Sequence, residues 1–376
     1  MDRLGKLKMD QVKERLFKIL EMLLPYTLYM YIRALYCRIT TKDKTKLYCN
    51  AYFYKYRPFS RKKYYIIRFP QPAYALFAAG RGYIFAAEYA KSKGMIPLID
   101  IEYEDDFEKG ILGKKNLWDG FFCQKSIKDI LKEDATILVS AFDRKNIFLP
   151  ETCIDINNCP TDYYIHTIEE NWKNYYKGVN KYIQKYWGFR EEFLYDLELK
   201  WKEICGDEKN ILGISLREVF SKEFFLQLES DEARAVYKEH PLGPDIGEII
   251  EIVEDYLENW KCGKIFLATV FKESIEIFEK RFPGRIVYLD RIRDTMQEKI
   301  ARLSKTWKEK ASGKINKTYD QIDKINYQYT QETVLLSKCT YLIGAKSGAT
   351  IAALAMNGGR YKDIKILEDK RNITRY

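Results

Sequence analysis

The feature that most constrains the fold is a repeated alternation of short apolar runs with longer amphipathic segments. Short runs rich in Ile and Val are typical of buried strands, and apolar residues at helical spacing indicate the helices between them. The predicted strands are residues 63–69, 94–102, 134–141, 211–216, 264–269, 285–290, 340–345 and 363–367. Because strands that alternate with helices form parallel sheets, the sequence predicts an α/β protein with two Rossmann-like halves that face a cleft.

A break in this pattern divides the chain. Residues 165–202 are helical in pattern and dense in Tyr, Trp, Lys and Glu, and the polar stretch 205–210 ends them. A chain of 376 residues is long enough for two domains. We predict a basic amphipathic segment over 1–45, an N-terminal Rossmann-like domain over 46–205 and a C-terminal Rossmann-like domain over 206–376.

The positive charge is concentrated at the N-terminal end. The net charge is +10, yet residues 1–68 alone hold 17 Lys and Arg against 5 Asp and Glu. Apolar residues at helical spacing lie beside these charges between Met9 and Leu23, and the uncharged run that follows is shorter than the about 20 residues that span a bilayer. Two interpretations stay open: a helix on an anionic cytoplasmic membrane surface, or a helix packed on the domain with a solvated basic face.

Composition excludes or disfavours other classes. An apolar content of 46% with 15% aromatic residues excludes a disordered protein. The eight cysteines form no C-x-x-C pair and the chain has only two histidines, so we expect reduced thiols in a cytoplasmic protein and no zinc site. We expect no signal peptide, since acidic residues are mixed into the first fifteen positions, and no nucleic-acid partner, since no such signature occurs.

The stretch GAKSGAT, residues 344–350, indicates an anion site. It joins a predicted strand to a predicted helix, and such a turn exposes backbone N–H groups at a helix N-terminus. Lys346, Ser347, Gly348 and Thr350 would bind the diphosphate of a ligand through a charge, two hydroxyls and the backbone. The spacing is not that of a Walker P-loop, and small residues here equally favour close packing of the strand against the helix.

Arg217 strengthens the anion hypothesis. It follows the apolar run 211–216, so we expect it at the carboxyl end of a strand, where such sheets bind ligands. A guanidinium binds a diphosphate bidentately and stabilises the charge that grows as the diphosphate leaves. A surface ion pair is the alternative for any arginine at a strand end. We predict that Arg217 and the 344–350 loop bind the same diphosphate.

The order of the motifs resembles the fucosyltransferase superfamily. GISLREVF, EHPLGP, IFLAT and YQYTQETVLLSKCTYLIGAKSGATIAAL follow one another, and GRGYIFAAEYAKSKGMIPLIDIEY with NLWDGFF resembles the N-terminal domain of a bacterial glycosyltransferase branch. The resemblance covers about residues 64–376. It implies a GT-B fold with an N-terminal acceptor domain and a C-terminal donor domain. It also implies a GDP-sugar donor, usually GDP-fucose, inversion at the anomeric centre, and no metal or other cofactor.

The resemblance also assigns residue roles. Arg217 matches the arginine of the family's H-x-R motif, whereas Ser215 stands where the family has the histidine. The match places His240, Thr269 and Glu332 at the donor nucleoside or its loops. His240 is equally explained as a packing residue at a helix entry.

Two further positions depart from the family. Val270 and Phe271 stand where the family has aspartates near the nucleotide, which leaves the donor base open. Phe271 either stacks on a base or, as its helical face with Ile275 and Phe278 favours, belongs to the core.

Fewer residues are predicted at the acceptor side of the site than at the donor side. Gly80, Arg81 and Gly82 are predicted to form an acceptor-side loop between the first two strands. The general-base candidates lie at the end of the predicted strand 94–102 and after it, and they are Asp100, Glu102, Asp105 and Asp106. Acidic residues after a strand are usually solvated, and the sequence identifies none of these four as the base.

The sequence therefore predicts an inverting, metal-independent glycosyltransferase that moves a sugar, fucose from GDP-fucose, to a glycan hydroxyl in surface polysaccharide or glycoconjugate assembly. Its expected location is cytoplasmic, peripheral on the inner face of the plasma membrane. The alternatives are a non-catalytic member that binds a glycan or a partner, and a transferase that uses a different nucleotide sugar.

Overall fold

The computed structural model describes residues 12, 15–20, 22–25, 28–29, 31–32, 35–36, 52–69, 77, 80–101, 116–141, 171–216, 218–228, 242–302 and 319–367. The chain forms two compact units, one of residues 1–72 and 82–154 and one of residues 73–81 and 155–376. The described part of each unit contains one sheet with parallel strands and flanking helices. The α/β class is therefore confirmed.

The first unit is built on a four-stranded sheet in the order β1-β4-β2-β3. The strands are β1 Tyr52–Lys55, β2 Lys63–Phe69, β3 Ile96–Ile101 and β4 Thr136–Ala141. β2 is parallel to both β3 and β4, whereas β1 is antiparallel to β4. Strand β1 was not predicted, because its sequence YFYK contains no Ile, Val or Leu.

Helix α1, Gly80–Ser92, connects β2 to β3. It ends at Ser92, and Gly94 follows with a φ of +69°, a conformation that favours glycine. The prediction that Gly80, Arg81 and Gly82 form a loop is wrong: these residues are the first turn of α1.

Asp100 is also placed differently from the prediction. It lies within β3 and is fully buried, and its Oδ2 is 3.7 Å from Nε of Arg68, which is opposite it on β2. A carboxylate in such a buried pair is a structural element of the sheet, and not a solvated residue after the strand. The acidic residues that follow it lie outside the described residues.

The second unit is built on a five-stranded parallel sheet in the order β7-β6-β5-β8-β9. The strands are β5 Ile211–Ser215, β6 Lys264–Ala268, β7 Ile286–Val287, β8 Tyr341–Ala345 and β9 Asp363–Leu367. The strand order reverses between β5 and β8, so the crevice between their carboxyl ends is the expected ligand site of this topology.

The helices of both units lie where apolar residues recur at helical spacing in the sequence. They are α2 Ile127–Ile130 in the first unit, and in the second α3 Trp172–Tyr186, α4 Glu191–Cys205, α5 Lys222–Leu226, α6 Ile246–Trp260, α7 Lys272–Arg281, α8 Tyr319–Leu336 and α9 Gly348–Asn357. None of the helices in the described ranges has the length and apolar character needed to cross a membrane.

Helix α6 has a capped N-terminus and an apolar face that is buried against the sheet. Asp245 and Glu248 form a capping box at its start, which satisfies backbone N–H groups that have no partner inside the helix. Its buried residues Ile249, Val253 and Leu257 pack against the sheet with the side chains of β5 and β6. Burial of each such side chain stabilises the fold by about 1.5–3 kcal/mol.

Helices α3 and α4 belong to the second unit, and not to the N-terminal domain that was predicted to end at residue 205. Nδ2 of Asn180 in α3 donates to the carbonyls of Ala355 and Met356 at the end of α9. Nε2 of Gln331 in α8 donates to Oδ2 of Asp196 in α4 at 2.6 Å. The polar break at 205–210 is thus only a helix-to-strand turn, because contacts distant in sequence decide the domain.

Candidate active site

The carboxyl ends of β5 and β8 lie side by side. Ser215, the last residue of β5, is paired with Gly344 of β8, and the backbone N–H of Leu216 donates to the carbonyl of Ala268 at the end of β6. The 344–350 loop and the segment that leads to Arg217 therefore start from adjacent positions on one edge of the sheet. Arg217 itself lies outside the described residues, so its distance from Ser347 stays a prediction.

A chain of three hydroxyls connects the two strand ends. Ser347 is the N-cap of α9, and its Oγ accepts a hydrogen bond from the backbone N–H of Thr350. Oγ1 of Thr350 lies 3.0 Å from Oγ of Ser347 and donates to Oγ of Ser215, also at 3.0 Å. The start of helix α9 is thereby attached to the end of strand β5.

Burial separates the predicted loop residues into two groups. Thr350 and Ser215 are buried, and a Cβ atom at Gly344 would lie 2.8 Å from Cγ2 of Thr350. This part of the loop is held by close packing, which was the alternative interpretation. Ser347 and Gly348 are partly exposed and Lys346 is exposed. This second group presents the N-terminus of α9, where unpaired N–H groups and the helix dipole favour an anion.

A buried carboxylate that the pattern analysis did not select lies at the same edge. Glu218 accepts hydrogen bonds from Oγ1 of Thr269, from Oγ of Ser274, and from the backbone N–H of Val270 at 3.1 Å. Burial raises the pKa of Glu218 above its ordinary value, against the effect of these donors. Glu218 thus holds the turn after β6 against the turn after β5. Its only sequence signal was a charge directly after a buried strand.

Glu332 lies in a buried ion pair with two arginines. Its Oε2 is 2.6 Å from Nη1 of Arg291 and its Oε1 is 3.2 Å from Nη2 of Arg293. Nε of Arg293 also donates to the carbonyl of Thr269 at 3.3 Å. Burial raises the pKa of Glu332 and lowers the pKa of Arg293. The predicted strand 285–290 forms only as the two residues of β7, and the pairing of the two arginines with Glu332 was not predicted because they lie 41 and 39 positions from it in the sequence.

Thr269 and Glu332 are therefore bound to protein groups. Thr269 is 1% exposed and Glu332 is 4% exposed, and each has protein partners for its side chain. Their role at the donor nucleoside stays a prediction. Because both side chains are bonded to protein groups, they would act on the nucleoside by holding the turn after β6 in position. His240 lies outside the described residues.

A cavity of about 260 Å³ opens at this edge of the sheet. Leu216 and Ala345, at the ends of β5 and β8, line it together with Glu218, Glu273 and Phe271. Oε2 of Glu273 is buried and has no hydrogen-bond partner within the described part of the chain. An apolar cavity with a few acceptor groups is the usual form of a small-molecule site.

Phe271 belongs to the core, which confirms the favoured interpretation. It is 1% exposed and its ring stacks on that of Phe224, with a centroid distance of 5.8 Å. Its packing partners differ from the predicted ones, however: it joins the cluster of α5, whereas Ile275 and Phe278 belong to the main core of the sheet.

The described residues contain no group of three or more His, Cys, Asp or Glu side chains arranged to hold a metal ion. The expectation that catalysis uses no metal stays a prediction. No residue in the described ranges is assigned the role of general base.

Comparison with known proteins finds similarity only among solved structures. No family model matches the chain, and no curated protein matches it. Fucosyltransferase NodZ from Bradyrhizobium is 14% identical with a TM-score of 0.38, over 78% of this chain and 92% of that one. A variant of Arabidopsis thaliana FUT1 in complex with GDP is 11% identical with a TM-score of 0.40, over 94% and 78%.

POFUT1 in complex with GDP is 9% identical with a TM-score of 0.31, over 75% of this chain and 67% of that one. The identities and TM-scores are low, so the function proposed below rests on the geometry of the chain's own site and on its motifs.

Proposed function

We propose that this chain is a glycosyltransferase that binds a nucleoside-diphosphate sugar at the carboxyl edge of its five-stranded sheet. The donor is GDP-fucose, and the acceptor is a glycan hydroxyl in surface polysaccharide or glycoconjugate assembly. Transfer inverts the anomeric centre and needs no metal. The fucosyl donor, the inversion and the acceptor are implied by the motif resemblance, and the similar structures NodZ and POFUT1 have been crystallised with GDP or GDP-fucose.

The observation that carries the proposal is the hydroxyl chain from Ser215 through Thr350 to Ser347. It fixes the N-terminus of α9 beside the end of β5, at the point where the strand order reverses. An anion bound there would gain from the N–H groups of α9 and from the charge of Lys346. Arg217, two residues after Ser215, would add a guanidinium to the same diphosphate.

Charge stabilisation is the catalytic effect that this site offers. As the sugar leaves, negative charge grows on the diphosphate, and donors fixed in advance stabilise that charge without reorganising. The buried hydrogen bonds of Glu218 and of Thr350 keep the two turns in place. Orientation of the acceptor hydroxyl against the anomeric carbon would lower the barrier further.

Binding is tested by titrating GDP, UDP and CMP into the wild-type chain and into Arg217→Ala, with affinity measured by calorimetry. Loss of hydrogen bonds to a charged group costs about 1.5–3 kcal/mol, so GDP should bind Arg217→Ala about ten- to hundredfold more weakly. Arg285→Ala is the matched control, because Arg285 is exposed and precedes β7 at the opposite edge of the sheet. Equal GDP affinity in Arg217→Ala and wild type would contradict the proposal.

One observation favours a second candidate, a member that binds without transferring. Ser215 replaces the family's histidine, and its hydroxyl is buried and bonded to Thr350, so it offers no exposed acid or base. Incubation with GDP-fucose and a glycan mixture, followed by measurement of released GDP and of labelled glycan, separates the two candidates. Transfer supports the enzyme; GDP binding with neither product supports the binding protein.

A further inference from the structure

The N-terminal segment exposes an apolar surface on a helix. Residues 15–20 and 22–23 are helical, as is residue 12. Four of its side chains, Val12, Leu16, Ile19 and Leu23, follow the i, i+4, i+7, i+11 spacing that places them on one face. We name these four residues the apolar stripe. Each is exposed, from 47% for Ile19 to 74% for Leu23.

The other face of this helix supplies the contacts with the rest of the segment. The ring of Phe17 makes edge contacts with Tyr29 at 6.5 Å and with Tyr36 at 5.2 Å, and Tyr29 is buried. Tyr31 stacks on Tyr56 at 4.7 Å beside strand β1. Packing within the unit therefore uses the aromatic residues and leaves the apolar stripe exposed, contrary to the interpretation that the helix packs on the domain by its apolar face.

The exposed hydrophobic side chains are concentrated near the N-terminus. Seventeen large hydrophobic side chains are exposed among the described residues, and eight of them lie between residues 12 and 35. Single exposed apolar residues need no explanation, but a contiguous group on one helix face indicates an interaction surface.

The charges around the stripe indicate what covers it. Arg15 and Lys18 are exposed on the same helix, within one turn of the stripe. In sequence, residues 1–68 carry 17 basic against 5 acidic side chains. A second copy of the chain would bring one basic segment against another, which is unfavourable. A surface that is both apolar and anionic suits the segment better.

We propose that the apolar stripe inserts into the surface of an anionic lipid bilayer while the basic side chains contact the lipid headgroups. A helix with an apolar face and flanking Lys and Arg residues lies in the plane of such an interface. This proposal is independent of the proposed enzymatic function, because it rests on a different unit of the chain.

Flotation of the full chain with vesicles tests the proposal. We expect binding to vesicles of equal parts phosphatidylglycerol and phosphatidylcholine, and much weaker binding to phosphatidylcholine alone. Leu23→Asp should reduce partitioning at least about tenfold through lost apolar burial. Lys18→Gln should reduce it about fivefold, an effect that high salt removes.

Leu199→Asp is the matched control, because Leu199 is 52% exposed on α4 in the other unit. Its partitioning should equal that of the wild type, and circular dichroism should show all variants folded. Equal binding to both vesicle types, or no loss in Leu23→Asp, would overturn the proposal. A dimer that dissociates in Leu23→Asp while the wild type ignores vesicles would also overturn it, in favour of a second copy as the occupant.

Discussion

Replacement of Glu332 by glutamine should destabilise the second unit strongly. The single carboxylate of Glu332 is paired with two buried guanidiniums, those of Arg291 and Arg293, whose side chains are only 4% exposed. Glu332→Gln leaves two buried positive charges without a counter-charge. Breaking a buried ion pair by removal of one partner costs about 3–5 kcal/mol, which is a large part of the about 5–15 kcal/mol that stabilises a typical fold.

The expected change is large enough for a simple thermal assay. For a unit of 150–250 residues, 1 kcal/mol lowers Tm by about 2–4 °C, so Glu332→Gln should melt about 6–20 °C below the wild type. Glu254→Gln is the control, since Glu254 pairs with Arg281 on the surface and such pairs contribute less than about 1 kcal/mol.

Two further measurements distinguish the loss of a buried counter-charge from a general loss of stability. Arg291→Met should cost less than Glu332→Gln, because it leaves the neutral pair of Arg293 and Glu332. At a temperature well below Tm, Glu332→Gln should weaken GDP binding only through a displaced turn after β6, since the carboxylate is occupied by the arginines and makes no direct contact with the nucleotide. If Glu332→Gln melts within the range of Glu254→Gln, the claim that these charges are buried and interdependent is wrong.

Three further predictions concern packing and pH. Gly344→Ala should lower Tm, because the new Cβ atom would press on Thr350, while Gly247→Ala in open space on α6 should not. Burial lowers the pKa of Lys299 from 10.5 to about 8, so Lys299→Met should be more stable than the wild type at pH 7, and chemical denaturation should show this difference shrinking between pH 8 and 10.5. Burial raises the pKa of Glu218 above 4.5, so the wild type should gain stability relative to Glu218→Gln as the pH falls towards 4.5; a difference independent of pH would contradict this assignment.

The candidate site contains some features that neighbouring residues predict and others that depend on residues distant in sequence. The 344–350 loop was predicted from a strand, small residues and a helix in succession, and the structure has β8, the N-cap Ser347 and α9 in that order. The pattern could not show that Thr350 bonds to Ser215, because 135 residues separate the two hydroxyls. The Glu218 and Glu332 networks were missed for the same reason: each joins turns that are distant in sequence.

The α/β class, most strand positions and the concentration of basic residues near the N-terminus follow from the sequence. These features depend on apolar periodicity and local charge, which neighbouring residues define. Contacts between distant segments place α3 and α4 in the second unit, bury Asp100 beside Arg68 and leave the apolar stripe facing outward. Periodicity shows that a helix has an apolar face, but what that face meets depends on parts of the chain that are remote in sequence.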